Sequence, residues 1–150
     1  MLSPSEPLIV IDSNEALPQH KAYDFRPHCV KHLFAGDYSV SCGEAGEVLD
    51  HFVAVERKSF VNLLLEVGAG RDRFERFMDR FRQIDHAYVV VECTWEDVLN
   101  PNHAEYLAAK RRALKRGSRR WIQPAHASGT VLSWLRRFKV PILFAGIRAQ

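Results

Sequence analysis

Tyr38-Ser39-Val40-Ser41-Cys42, the turn-rich Gly43-Glu44-Ala45-Gly46, and Phe52-Val53-Ala54-Val55-Glu56 together decide how this 150-residue chain folds. Two β-prone runs flanking glycines read as an antiparallel pair joined by a hairpin. With the turn centred between Gly46 and Glu47, a symmetric loop and no bulge, positions equally distant from the centre face each other, and Asp37 falls opposite Glu56. Directly opposed side chains share a sheet face with Cβ atoms roughly 5 Å apart. The two-residue strand period adds Lys58 to that face and sends Arg57 to the other. A slip of one residue would separate the acids.

Two neighbouring carboxylates repel, and a hard divalent cation relieves the repulsion. Mg²⁺ takes carboxylate oxygens plus waters and leaves room for a substrate phosphate. Its charge acidifies water and stabilises negative charge developing at phosphorus. A lysine alongside can orient or deprotonate the attacking water and offset phosphate charge. Asp37, Glu56 and Lys58 are thus the parts for phosphodiester hydrolysis. Acid and lysine pairs at turns and strand ends are also commonly just solvated, so the spacing by itself leaves both readings open.

Working outward, Leu8-Ile9-Val10-Ile11 is a buried strand ending in Asp12, and Arg26-Pro27 to Phe34 reads as extended. Ser59 is an N-cap for a helix over Phe60 to Val67, stopped by Gly68-Ala69-Gly70. A second helix follows at once, with Phe74, Phe77, Met78, Phe81 and Ile84 forming a core-facing stripe. Ala87 to Glu92 is another buried strand, and Thr94 with Asp97 makes a capping-box start to a short helix closed by Asn100-Pro101. His103 to Arg116 reads as helical, and a last helix from about Ser128 points Val131, Leu135 and Phe138 inward. Pro141 to Phe144 supplies a final strand. The fold class is α/β, a central mixed sheet flanked by helices.

Composition bounds the function. The length supports one core, hence a single domain over 1–150. Met1 to Pro7 lacks a leader pattern and no apolar stretch approaches membrane-spanning length, so a cytoplasmic location is expected, nucleoid-associated in a bacterium, with no membrane partner. Cys29, Cys42 and Cys93 are odd in number without a CxxC pair, which points away from a disulfide framework and from a thiolate zinc site. His28 and His32 sit four apart in an extended segment without a third ligand.

Charge is unevenly spread. Lys110, Arg111, Arg112, Lys115, Arg116, Arg119 and Arg120 fall in eleven positions that contain no acid, while the whole chain is only +3, so the remainder is net acidic. That asymmetry suggests a polyanion contacted by one surface, and a phosphate-tracking role is favoured over a solvated helix face. Trp121 follows directly and reads as a loop anchor rather than a base-stacking platform.

Gly36-Asp37-Tyr38 followed by Val55-Glu56-Arg57-Lys58-Ser59 resembles the GDY and ERKS motifs of XPF-type structure-specific endonucleases, within the PD-(D/E)XK nuclease superfamily. Ile9 to Asp12 with Glu15, Gly70-Arg71, Ala87 to Glu92 and Val140 to Phe144 extend the likeness over most of the chain. The resemblance implies a restriction-endonuclease-like fold and a Mg²⁺- or Mn²⁺-dependent endonuclease acting on branched, flap or partly single-stranded DNA in repair or recombination. It implies that Asp37 and Glu56 ligate the metal with the backbone carbonyl of Arg57, that Lys58 is the catalytic lysine, and that Asp12 and Glu15 are further acidic members. Arg57 and Arg71 are expected at the DNA. Asn62 and Asn14 stand where the family usually has an acid and often an arginine, which touches metal affinity or rate. A homodimer, or a separate helix-hairpin-helix or helicase partner, is a further expectation. A non-catalytic DNA-binding or scaffold module of the same family is the alternative, and a restriction- or resolvase-like nuclease a third.

Overall fold

The computed structural model describes residues 7–20, 22–42 and 46–146, with Cys42 described by its backbone alone. The leader reading over Met1 to Glu6 and the turn residues Gly43 to Ala45 lie outside the described residues.

The apolar run Leu8–Asp12 is strand β1 and pairs in parallel with β2, His28–Lys31. On its other side β1 runs antiparallel to β3, Tyr38–Cys42, with Ile11 opposite Tyr38. A two-residue strand β4, Glu47–Val48, which the sequence pattern did not reveal, pairs with β3 ahead of β5, Val53–Ser59. With β6, His86–Glu92, and β7, Ile142–Phe144, which pair in parallel, the strands form a mixed seven-stranded sheet of order β2-β1-β3-β5-β6-β7, with β4 on β3.

The hairpin register corrects one assumption made from sequence. Ser41 faces Val48 and Cys42 faces Glu47, a register that would bring Tyr38 opposite His51. Instead Tyr38 faces Val55, a shift of four residues. The extra residues fold into a helical turn in which Phe52 and Val53 N–H groups both donate to the Leu49 carbonyl, at 2.9 and 2.8 Å. Asp50 in that turn is buried and accepts a hydrogen bond from the Phe34 N–H, which anchors the insertion. Because four is even, inward and outward side chains keep their faces. Asp37 and Glu56 follow the Tyr38–Val55 pair in sequence, and the Asp37 N–H donates to the Val55 carbonyl at 2.8 Å.

The chain divides into two compact units, Met1–Arg57 with Arg80–Tyr88, and Lys58–Asp79 with Val89–Gln150. The first buries Val10, Ile11, Leu33, Tyr38, Ala54, Phe81, Ile84 and Ala87. In the second, helices α1, Phe60–Val67, and α2, Arg71–Phe81, contribute Leu63, Val67, Phe74 and Met78 to the core. Ser59 caps α1, its Oγ accepting from the Asn62 N–H at 3.2 Å. Helix α3, Trp95–Leu99, carries the full capping box between Thr94 and Asp97. Helix α4, Ala104–Lys115, is capped by His103.

Helix α5, Pro124–Phe138, begins a turn earlier than the apolar spacing suggested. Proline at the first helical position has its φ preset and loses no helical hydrogen bond there, so it extends the helix backwards. The longer helix turns Ala127, Thr130, Val131, Trp134 and Phe138 inward, with Leu135 only half-buried. No helix among the described residues is long and apolar enough to cross a membrane.

Candidate active site

Each residue of Gly36-Asp37-Tyr38 has a distinct physical task. Gly36 adopts φ +80°, and a Cβ there would lie 2.9 Å from the Val55 carbonyl oxygen, so only glycine lets the chain enter β3 this close to β5. Asp37 is then fixed twice. Its N–H donates to the Val55 carbonyl at 2.8 Å, and its Oδ2 accepts from the Arg57 N–H at 2.6 Å. The two bonds bracket Glu56. Tyr38 points into the core, where its hydroxyl donates to Glu15 Oε1 at 2.9 Å and accepts from the Tyr23 N–H at 3.1 Å. Burial raises the pKa of that hydroxyl, and the neighbouring Glu15 carboxylate raises it further, so it stays a donor.

Glu56, Arg57 and Lys58 are consecutive on β5 and alternate in facing. Arg57 Nε donates to Glu15 Oε1 at 2.7 Å, its Nη2 reaches the His20 carbonyl, and its guanidinium lies 5.8 Å from the Tyr23 ring centre. Lys58 has a side chain only 15% exposed; its Nζ lies 3.9 Å from Glu66 Oε1 and 5.5 Å from the centre of the Phe74 ring. Glu66 also takes Arg73 Nη2 at 2.9 Å.

The other expected acids are engaged in the fold. Asp12 is buried and caps backbone on both sides, Oδ1 accepting from the Leu33 N–H at 2.9 Å and Oδ2 from the Asn14 N–H at 2.8 Å, with His32 Nδ1 at 3.5 Å. Glu15 is the buried partner of Arg57 and Tyr38, an interior ion pair. Among the described residues no group of three or more His, Cys, Asp or Glu side chains is placed to hold a metal. Arg57 thus directs its guanidinium to Glu15 rather than outward, leaving its backbone amide beside Asp37.

Arg71 donates from Nε to Glu75 Oε1 at 2.8 Å. That guanidinium, helped by the Trp134 indole N–H, holds the Glu75 carboxyl below its usual pKa. Asn62 and Asn14 are both exposed. All seven basic residues between Lys110 and Arg120 are exposed. Three of them, Arg112, Arg116 and Arg120, border a groove of about 490 Å³ whose other walls include Leu64, Leu65, Ala113 and Trp121. Trp121 is half-buried with Lys110 Nζ 5.2 Å from its ring centre, so it anchors its loop and still borders the groove.

Sequence reasoning did not single out Glu66. The signal was present: an acid three residues after Leu63, inside the apolar stripe of Phe60 to Val67.

Residues 11–148 match the family described as the ERCC4 domain. No curated protein matches the chain. Among solved structures the chain is similar to XPF from Aeropyrum pernix in complex with DNA, at a TM-score of 0.57 and 14% identity, over 95% of this chain and 57% of that one. The chain thus spans little more than half the length of that protein. The mixed sheet flanked by helices is the restriction-endonuclease-like fold.

Proposed function

The chain belongs to the ERCC4 domain family, and from that premise we propose that it is a divalent-metal-dependent DNA endonuclease, with Asp37 and Glu56 as metal ligands and Lys58 as the catalytic lysine. The observation that carries this reading is the double fixing of Asp37 against β5, on either side of Glu56. An acid held by two backbone bonds keeps one orientation without a large entropic cost when its ligand arrives.

The donor set fits a hard cation. Two carboxylates with a backbone carbonyl of Arg57 are oxygen ligands, and Mg²⁺ or Mn²⁺ needs only one or two carboxylates when substrate phosphate and water complete the shell. Such an ion supplies charge neutralisation at the scissile phosphate and acidifies water. The Arg57 amide, donating to Asp37, sets the angle of that carboxylate. Lys58, two residues beyond Glu56 on the same strand, presents an ammonium that orients the attacking water and offsets charge as the P–O bond breaks. Asp12 and Glu15 support this arrangement from within the fold by holding the β1–β2 backbone and Arg57.

DNA is the proposed polyanion. The exposed basic residues from Lys110 to Arg120 can neutralise phosphates, with Arg71 contributing at the backbone, and binding should weaken steeply as salt rises. The Aeropyrum pernix protein was solved with DNA, which supports the same substrate class here. Flaps and branched junctions, met in repair and recombination, are the proposed targets.

The test is a panel of labelled flap, fork and duplex DNAs incubated with Mg²⁺, Mn²⁺ or chelator. Cleavage is expected with metal only, and Lys58→Ala and Asp37→Ala should each slow it by about 10² to 10⁴-fold. Equal cutting by parent and variants, or cutting in chelator, would overturn the proposal. Metal-independent binding without any cutting would identify the non-catalytic module instead.

A further inference from the structure

Glu66 occupies a position where an amphipathic helix ordinarily places hydrocarbon. It lies on the inner side of α1 with Leu63 and Val67 and is 6% exposed. Withdrawing a carboxylate from water costs several kcal/mol, roughly, unless good partners replace the solvent. Its partners are incomplete. Oε1 receives the Arg73 guanidinium at 2.9 Å and has Lys58 Nζ at 3.9 Å, whereas Oε2 has no hydrogen-bond partner and is, among the described residues, the one buried side-chain oxygen in that state. The chain makes room for this oxygen, since a Cβ at Gly70 would lie 2.3 Å from it.

A leucine or methionine would fill the same space without the desolvation cost. What a carboxylate offers in addition is a fixed negative charge beside a lysine. The four-carbon stem of Lys58 has many rotamers, and a point charge on one side with the Phe74 ring 5.5 Å away narrows them. Arg73, whose side chain is 75% exposed, holds Glu66 from the solvent side.

We infer that Glu66 is a positioning residue for the reaction, holding the Lys58 ammonium in its working place, with Arg73 as its brace and Gly70 as its clearance. The inference rests on the reading of Lys58 as the catalytic lysine. Glu66 touches neither DNA nor the reacting atoms in this scheme; it acts through Lys58 alone.

Two variants test it by opposite routes. Glu66→Gln keeps shape and the Arg73 contact and removes the charge. Gly70→Ala keeps the charge and forces Oε2 to move. Both are compared with the parent and Lys58→Ala for kcat, KM and thermal midpoint on one flap DNA. We expect Glu66→Gln to lower kcat about 10- to 100-fold, with KM and midpoint at the parental values. Gly70→Ala should show the same pattern more weakly. Parental kcat in Glu66→Gln, or a kcat that falls only together with the midpoint, overturns the inference. Should Glu66→Gln fail to fold, Gly70→Ala decides in the same terms. A parent that cuts, with Lys58→Ala inactive and Glu66→Gln at full rate, removes this inference and leaves the nuclease reading standing. A parent that cuts no DNA removes both.

Discussion

Arg57 and Lys58 are neighbours on β5, and each has a buried glutamate as partner, yet the two glutamates are satisfied to different degrees. Glu15, 5% exposed, accepts from the Tyr38 hydroxyl at 2.9 Å and from Arg57 at 2.7 Å, and His20 lies 3.7 Å away. Glu66, 6% exposed, has a single oxygen serving Arg73 and Lys58, with the other unpartnered. Burial is the same; the bonding differs. A carboxylate with short charged bonds locks its surroundings, whereas one left partly unsatisfied is a cost that a folding role does not explain. The contrast separates a residue that holds the fold from one that holds a reacting group.

The two pairs should respond differently when the cation is removed. The largest effect is expected for Arg57→Met, which leaves Glu15 buried without its cation and should cost about 3–5 kcal/mol in denaturant unfolding. Lys58→Met should cost only about 1 kcal/mol, because Glu66 retains Arg73, while abolishing cleavage. Equal losses of stability in the two variants would mean that Glu15 and Glu66 are satisfied alike.

Tyr38→Phe probes the Glu15 side alone. It deletes one hydrogen bond to Glu15 but leaves the Arg57 pair, and should destabilise by about 1–2 kcal/mol without changing the cleavage rate of the folded protein. A cleavage defect larger than the loss of folded protein would instead tie Glu15 to the chemistry. The smallest effect belongs to Ser59→Ala, which removes the α1 cap and should cost about 1 kcal/mol, read as a shift in midpoint.

Much of this arrangement is legible in the sequence. Ser59, the Thr94–Asp97 capping box and the Phe74-to-Ile84 stripe follow from local rules, because their partners lie within a few residues. The antiparallel pairing of β3 with β5 was also reached, although by a symmetric hairpin that the Leu49-to-Val53 turn replaces. Side-chain parity survives an even insertion, and sequence spacing cannot distinguish the two routes. Glu15 and Glu66 were harder. Which cation a buried acid meets is set by packing that periodicity does not describe: Arg57 reaches Glu15 across 42 positions, and Arg73 reaches Glu66 from the next helix. The start of α5 was missed for a local reason, since Pro124 opens a helix as readily as it ends one.

Asp37→Asn separates the charge of the Asp37 side chain from its bond to the backbone. An asparagine oxygen can still accept the Arg57 amide bond, so the turn keeps its geometry while the charge that would hold a cation is gone. Thermal midpoint and flap cleavage in Mg²⁺ are recorded on the same sample. The account expects a parental midpoint with cleavage reduced by at least about 10²-fold; a variant that folds and cuts like the parent contradicts it.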